Sequence, residues 1–338
     1  MKIYIKSLIL LIGLCGFHLI GNATSVYLHQ KFTGNVNYSV FGASELQETG
    51  GYWDCTGTDN NSATLSLPAS ATVKAAYLYW YVMESNNTDD TIPYIAISNT
   101  APVTFPGTSS AINISSTRSF NETVPEPVSG GTYSYAGRFV DISLQVKALS
   151  NPSGTYRVDV QGGASTTACA YTQENVRGWN IIVVYEDSTV INNAYSINIY
   201  DGMVGFLDSS VSIPVSGYEV LAAPTAGSLT VVSIQGDLDI PGEYMTTTDP
   251  AFPSFPADYA NGSPGPALDI DTVNGNFTAA STSMNLNAGS NEDLILLTNI
   301  VLRIPDALAS NNTSLTLVST VQNDDGGTAG INDLGIST

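Results

Sequence analysis

The sequence predicts an all-β protein, an antiparallel, jelly-roll-like β-sandwich with long loops and at most one or two short helical turns. Three observations point there. Apolar residues recur at period two, clusters of Gly, Pro, Asn, Ser and Thr interrupt them at short intervals, and two runs are apolar on both faces.

Taken along the chain, Met1 to Ala23 reads as an export leader. Lys2 and Lys6 are followed by an apolar stretch from Leu8 to Ile20 and a small-residue site ending at Ala23. Residues 24–338 are expected as one elaborated β-sandwich domain, with a small subdomain from the 241–268 region onward left open. The alternating segment Val36, Tyr38, Val40 follows the leader. Ala75 to Val82 (AAYLYWYV) is apolar throughout and predicts a central strand. Tyr77, Tyr79 and Tyr81 share one of its faces and Leu78, Trp80 and Val82 the other; at least one face belongs to the core.

Thr100 to Gly137 is rich in breakers and is expected as a long connection. Asp141 can cap one helical turn through Ile142 and Val146, although a strand with Ile142, Leu144 and Val146 inward fits almost as well. Tyr156, Val158 and Val160 alternate with polar neighbours. Trp179 to Tyr185 (WNIIVVY) is the second doubly apolar run, and Tyr195, Ile197 and Ile199 again alternate, predicting one wet face. Pro241 to Leu268 is a second long connection. Leu294 to Ile304 is a long strand with Leu294, Leu296, Ile300, Leu302 and Ile304 expected on one face, and Leu315 to Val321 is the expected last strand.

Charge excludes one class of partner. Ten Lys and Arg face thirty Asp and Glu, net −20, and removing the leader leaves 8 − 30 = −22. Nucleic-acid binding needs clustered cations, and this chain has none. No run after the leader reaches the roughly eighteen apolar residues of a membrane helix.

The leader's removal leaves Cys55 and Cys169, an even pair in an oxidising compartment, which reads as one structural disulfide. Closing so long a loop contributes about 4–5 kcal/mol in the chain-entropy model. Two cysteines and His29 are too few ligands for structural zinc. His29, near the new N-terminus, is expected at the surface, and a single histidine leaves little room for a triad. HExxH, GxSxG and GxxxxGK signatures are absent from the sequence. Calcium is the candidate cofactor. Asp269-x-Asp271 and the Asn323-Asp324-Asp325-Gly326-Gly327 turn offer the clustered oxygens that a hard cation takes, with Asp324 and Asp325 preferred.

Several phrases, in order, resemble an N-terminal β-sandwich module of large bacterial surface, adhesin-like proteins, where it precedes tandem immunoglobulin-like repeats. They are Phe32 to Ser39 (FTGNVNYS), Ala63 to Trp80, Asp141 to Val160, Gly178 to Gly202 and Ala267 to Thr272 (ALDIDT). The resemblance implies an extracellular, non-enzymatic module used for structure or adhesion, here without the repeats. It also favours the helical turn after Asp141. Two functions are therefore carried forward. One is a cell-surface structural or adhesive protein that assembles into fibres with copies of itself, Val36, Tyr38 and Val40 forming a donor strand. The other is a calcium-assisted carbohydrate-binding module whose partners are surface glycans.

Overall fold

The computed structural model describes residues 25–45, 47–48, 53–54, 61–86, 94–125, 131–164, 176–187, 194–221, 225–235, 242–257, 259–260, 264–265, 268–291 and 293–306. Among these residues are seventeen strands of four or more residues and one short helix. The chain opens with β1 (Val26–Gly34), β2 (Val36–Ser44), β3 (Ser62–Leu65) and the long β4 (Ala71–Asn86). Next come β5 (Thr100–Thr104), β6 (Ile112–Ser115), β7 (Arg118–Pro125), β8 (Thr132–Asp141), α1 (Ser143–Lys147), β9 (Gly154–Val158) and β10 (Arg177–Asp187). The second half holds β11 (Tyr195–Leu207), β12 (Ser210–Ser216), β13 (Thr225–Ile234), β14 (Tyr244–Thr247), β15 (Leu268–Phe277), β16 (Ser283–Gly289) and β17 (Leu294–Pro305).

Antiparallel sheets pack face to face, as the sequence predicts, but in four layers rather than two. The six-stranded sheet runs β1-β11-β17-β13-β15, with the two-residue bridge Pro264–Gly265 at its end. The five-stranded sheet runs β7-β8-β4-β10-β2. These two are the inner layers. Their shared core contains Tyr79, Ile182, Ile199 and Leu296. The outer face of the six-stranded sheet is covered by β12-β16-β14, burying Ile213, Leu286, Val231 and Leu302. The outer face of the five-stranded sheet is covered by β3-β9-β5-β6 and α1, burying Trp80, Trp179, Tyr156 and Val146. Burying each such large side chain contributes about 1.5–3 kcal/mol relative to exposure.

The two doubly apolar runs are β4 and β10, neighbours at the centre of the five-stranded sheet, with Trp80 opposite Trp179. Both faces of β4 are core, so the tyrosine face and the tryptophan face are equally dry. One helical turn follows Asp141, whose Oδ1 accepts from the Ser143 amide at 2.8 Å. The N-cap residue is Ile142, without a side-chain cap; the Asp141 bond turns the chain just before it, and the buried Val146, whose amide bonds back to the Ile142 carbonyl at 3.0 Å, sets helix over strand.

Three expectations need correction. Thr100 to Gly137 is not a bare connection; it contains β5, β6, β7 and most of β8. The first three are one-sided, β7 burying only Glu122 and Val124, so their apolar signal is thin. Secondly, β11 has no wet face: Ser196, Asn198 and Tyr200 are buried because the six-stranded sheet is covered on both sides, and Asn198 Nδ2 bonds Ser196 Oγ at 3.0 Å. Finally, β17 does not keep one apolar face. Register shifts on both its partners fall around Thr298. Leu294 and Leu296 therefore join the core between the inner sheets, while Ile300, Leu302 and Ile304 join the opposite one.

Two glycines set the N-terminal crossing. Gly34, at φ +117°, turns the chain out of the six-stranded sheet and into the five-stranded one. Gly42 lies against β10 so closely that a Cβ would stand 2.2 Å from the Trp179 carbonyl oxygen. No helix among the described residues is long and apolar enough to cross a membrane.

Candidate functional site

Tyrosine hydroxyls bolt the inner sheets together. The Tyr79 hydroxyl donates to Asp201 Oδ2 at 3.0 Å, and that of Tyr81 donates to Asn299 Oδ1 at 3.2 Å, which also accepts from Asn180 Nδ2 at 3.0 Å. Burial pushes both phenols well above their ordinary pKa and keeps them as donors.

At one flank of this interface the polar groups form a closed cluster. A bulge in β1 between Leu28 and Gln30 sets His29 apart from the ladder, and β11 has its own irregularity after Asp201. Arg118 forks onto the buried Asp201, with Nη1 3.2 Å from Oδ1 and Nη2 on Oδ2. Its guanidinium lies over the Phe139 ring at 4.1 Å. His29 is not the surface residue expected: its ring packs edge-on to Tyr77 and Phe139, and Nδ1 accepts from Arg118 Nη2 at 3.3 Å. Burial lowers its pKa, against the opposing pull of Asp201 3.8 Å away. Asp201 is saturated by Arg118 and Tyr79, and His29 is bonded to a cation rather than to a nucleophile. This cluster is a clamp.

The opposite flank is open. Here β2 is the last strand of the five-stranded sheet and crosses over β13, β15 and β17. Between them lies a cleft of about 280 Å³. The Tyr38 hydroxyl closes its inner end, bonded to Ser228 Oγ at 3.1 Å and Thr230 Oγ1 at 2.6 Å, and Thr230 continues to Thr272 at 2.6 Å. Ser39, Asn274 and Arg303 complete the polar lining, with Val40 and Ile270 between them. Arg303 is stacked over Tyr195 at 4.7 Å, and its Nη1 donates to Asn37 Oδ1 at 3.3 Å. Its Nε is buried and makes no hydrogen bond. None of the ion pairs among the described residues involves Arg303.

The residues expected at sites fall in different places. Tyr38 and Val40 line this cleft, while Val36 is buried between the inner sheets. All three belong to β2, which is laddered to β10 over nine residue pairs. Asp269 and Asp271 occupy one face of β15, Asp269 fully buried. Burial pushes Asp271 up to about 6. Their charges, with those of Glu243 and Asp293, reach the buried Tyr259 hydroxyl and help raise its pKa after burial itself. Even so, no group of three or more His, Cys, Asp or Glu residues among the described residues is arranged to hold a metal ion. Cys55, Cys169, Asp324 and Asp325 lie outside the described residues.

Sequence reasoning missed Arg303 and the Arg118–Asp201 pair. A signal for Arg303 was available: it is the only Lys or Arg after Arg177. No family model matches the chain, and no curated protein matches it significantly.

Proposed function

We propose that the chain is an exported, non-enzymatic structural or adhesive protein of the cell surface that associates with copies of itself through the free edge of β2. The observation that carries this reading is the position of β2, terminal in its sheet and bordering the open flank. A terminal strand offers unpaired main-chain groups to an added strand. The rest of the molecule supports a mechanical role: four stacked sheets, three dry cores, and a histidine clamped by an arginine instead of set against a nucleophile.

Edge addition is preferred to release of Val36, Tyr38 and Val40 as a donor arm. Release breaks the β2–β10 ladder and the Tyr38 hydrogen bonds, whereas addition at the outer edge breaks neither. Electron microscopy of the purified chain at high concentration tests the reading. The amides of odd-numbered β2 residues face β10, so that of Val40 faces outward. Fibres or regular oligomers that disappear when Val40→Pro blocks strand addition support the reading, and monodisperse single particles under all salt conditions overturn it.

A further inference from the structure

Arg303 poses a physical question that self-association does not answer. It is the only basic residue in the last 161 residues of a chain of net −20, yet it makes no ion pair among the described residues. Its guanidinium is held in place on Tyr195 and by the bond from Nη1 to Asn37 at the wall of the cleft, with Nε buried behind it and no hydrogen bond made by Nη2 among the described residues. A guanidinium fixed on two sides, with a terminal nitrogen unbonded and no described carboxylate paired with it, suits a carboxylate brought by a ligand.

The rest of the lining narrows the ligand. Beyond Arg303 it is neutral: Ser228 and Thr230 lie buried beneath, bonded to Tyr38, while the exposed Thr272 and the half-buried Ser39 offer hydroxyls and the exposed Asn274 an amide. Such groups both donate and accept, which suits a ligand bearing several hydroxyls. Val40 and Ile270 supply apolar surface for a C–H face. One guanidinium balances one carboxylate; a phosphate or sulfate dianion would leave charge uncompensated inside an acidic protein. A volume of about 280 Å³ lies just under the roughly 300–1,000 Å³ of drug-sized sites, so one ring fits and a longer chain must leave through the open side.

We infer that the cleft between β2 and the β13–β15–β17 face binds a uronic acid residue, its carboxylate on Arg303 and its hydroxyls on the Thr272, Asn274 and Ser39 side. No metal is needed. The inference stands apart from self-association, because a single subunit carries the whole site.

Titration of the full chain with D-glucuronate, followed by calorimetry or NMR at a concentration where it is monomeric, tests this. D-glucose lacks the carboxylate and acetate lacks the hydroxyls. Glucuronate is expected to bind at least about tenfold more tightly than either, with no change on adding EDTA. Arg303→Gln should abolish the preference over glucose. Asn274→Ala, at an exposed rim position, should weaken binding severalfold without lowering the melting temperature, and it keeps the test valid if Arg303→Gln does not fold. Acetate binding as tightly as glucuronate, binding unaffected by either substitution, or no binding at millimolar glucuronate would each overturn the assignment.

Discussion

Tyr79 of β4 donates its hydroxyl hydrogen to Asp201 of β11 at 3.0 Å, across the interface of the two inner sheets. The bond matters because Asp201 is buried and its other oxygen contacts come from Arg118. Removing a donor from a buried carboxylate costs about 1.5–3 kcal/mol. Tyr79→Phe should therefore lower unfolding free energy by that amount in a denaturant titration. Tyr77→Phe, on the same strand face but bonded to no carboxylate, should cost markedly less. Equal losses would show that Tyr79 acts through packing alone.

Gly42 is required by close approach rather than by its backbone angle. A methyl group there meets the Trp179 carbonyl oxygen, the Asn180 Cα and a Leu268 methyl, two of which are main chain that cannot turn aside. Gly42→Ala should destabilise the protein by about 1–3 kcal/mol. The same change at Gly107, where nothing lies within 4 Å but φ is +76°, should show only the smaller backbone strain. Thermal melts of the two variants give the comparison.

Two carboxyls predict how stability depends on pH. Burial pushes Glu45, whose Oε1 accepts from the Val160 amide at 2.6 Å, up to about 7, and Asp271 up to about 6. Both folded values lie above those of the unfolded chain, so the folded state holds protons that the unfolded state releases. Their contribution is most favourable below about pH 4 and declines as pH rises through 6 and 7. With allowance for solvent screening at partly exposed Asp271, the combined loss between pH 5 and pH 8 is on the order of 2 kcal/mol. Glu45→Gln keeps the acceptor and should flatten the curve; an unchanged slope would remove Glu45 from the account.

Association should respond to ionic strength. Subunits of net −20 repel one another at low salt, and screening over a Debye length of about 10 Å at 0.1 M relieves this. Light scattering should therefore report larger particles as sodium chloride rises, with glucose-free buffer and fixed protein concentration. A decrease would mean that attraction between charges, not strand addition, holds the copies together.

The architecture was legible where a strand is wholly apolar or strictly alternating. Trp80 and Trp179 marked the centre of one inner sheet because only burial on both faces accounts for runs like theirs. Asp141 marked the helical turn among the described residues, although its side chain turns the chain one residue ahead of the N-cap, Ile142, instead of capping it. Layer count was harder. Ser196 and Asn198 look like solvent-facing residues, and nothing local reveals that a third sheet lies over them. The face exchange in β17 was hidden for a related reason: a bulge at Thr298 changes parity without changing composition. The cleft was half visible. Tyr38 and Val40 stood out as an alternating pair, but their neighbours Ser228, Thr272 and Arg303 are brought there only by sheet stacking.

The crossing at Gly34 also governs the order in which the molecule can assemble. β1 and β2 lie next to each other in the chain, but their ladder partners are β11 and β10, some 150 residues later. Until those segments arrive, the first strands have nothing to pair with, and closing such distant contacts is slow. The first two strands are thus the last of the N-terminal half to be laddered, held back until more than half of the chain has been made.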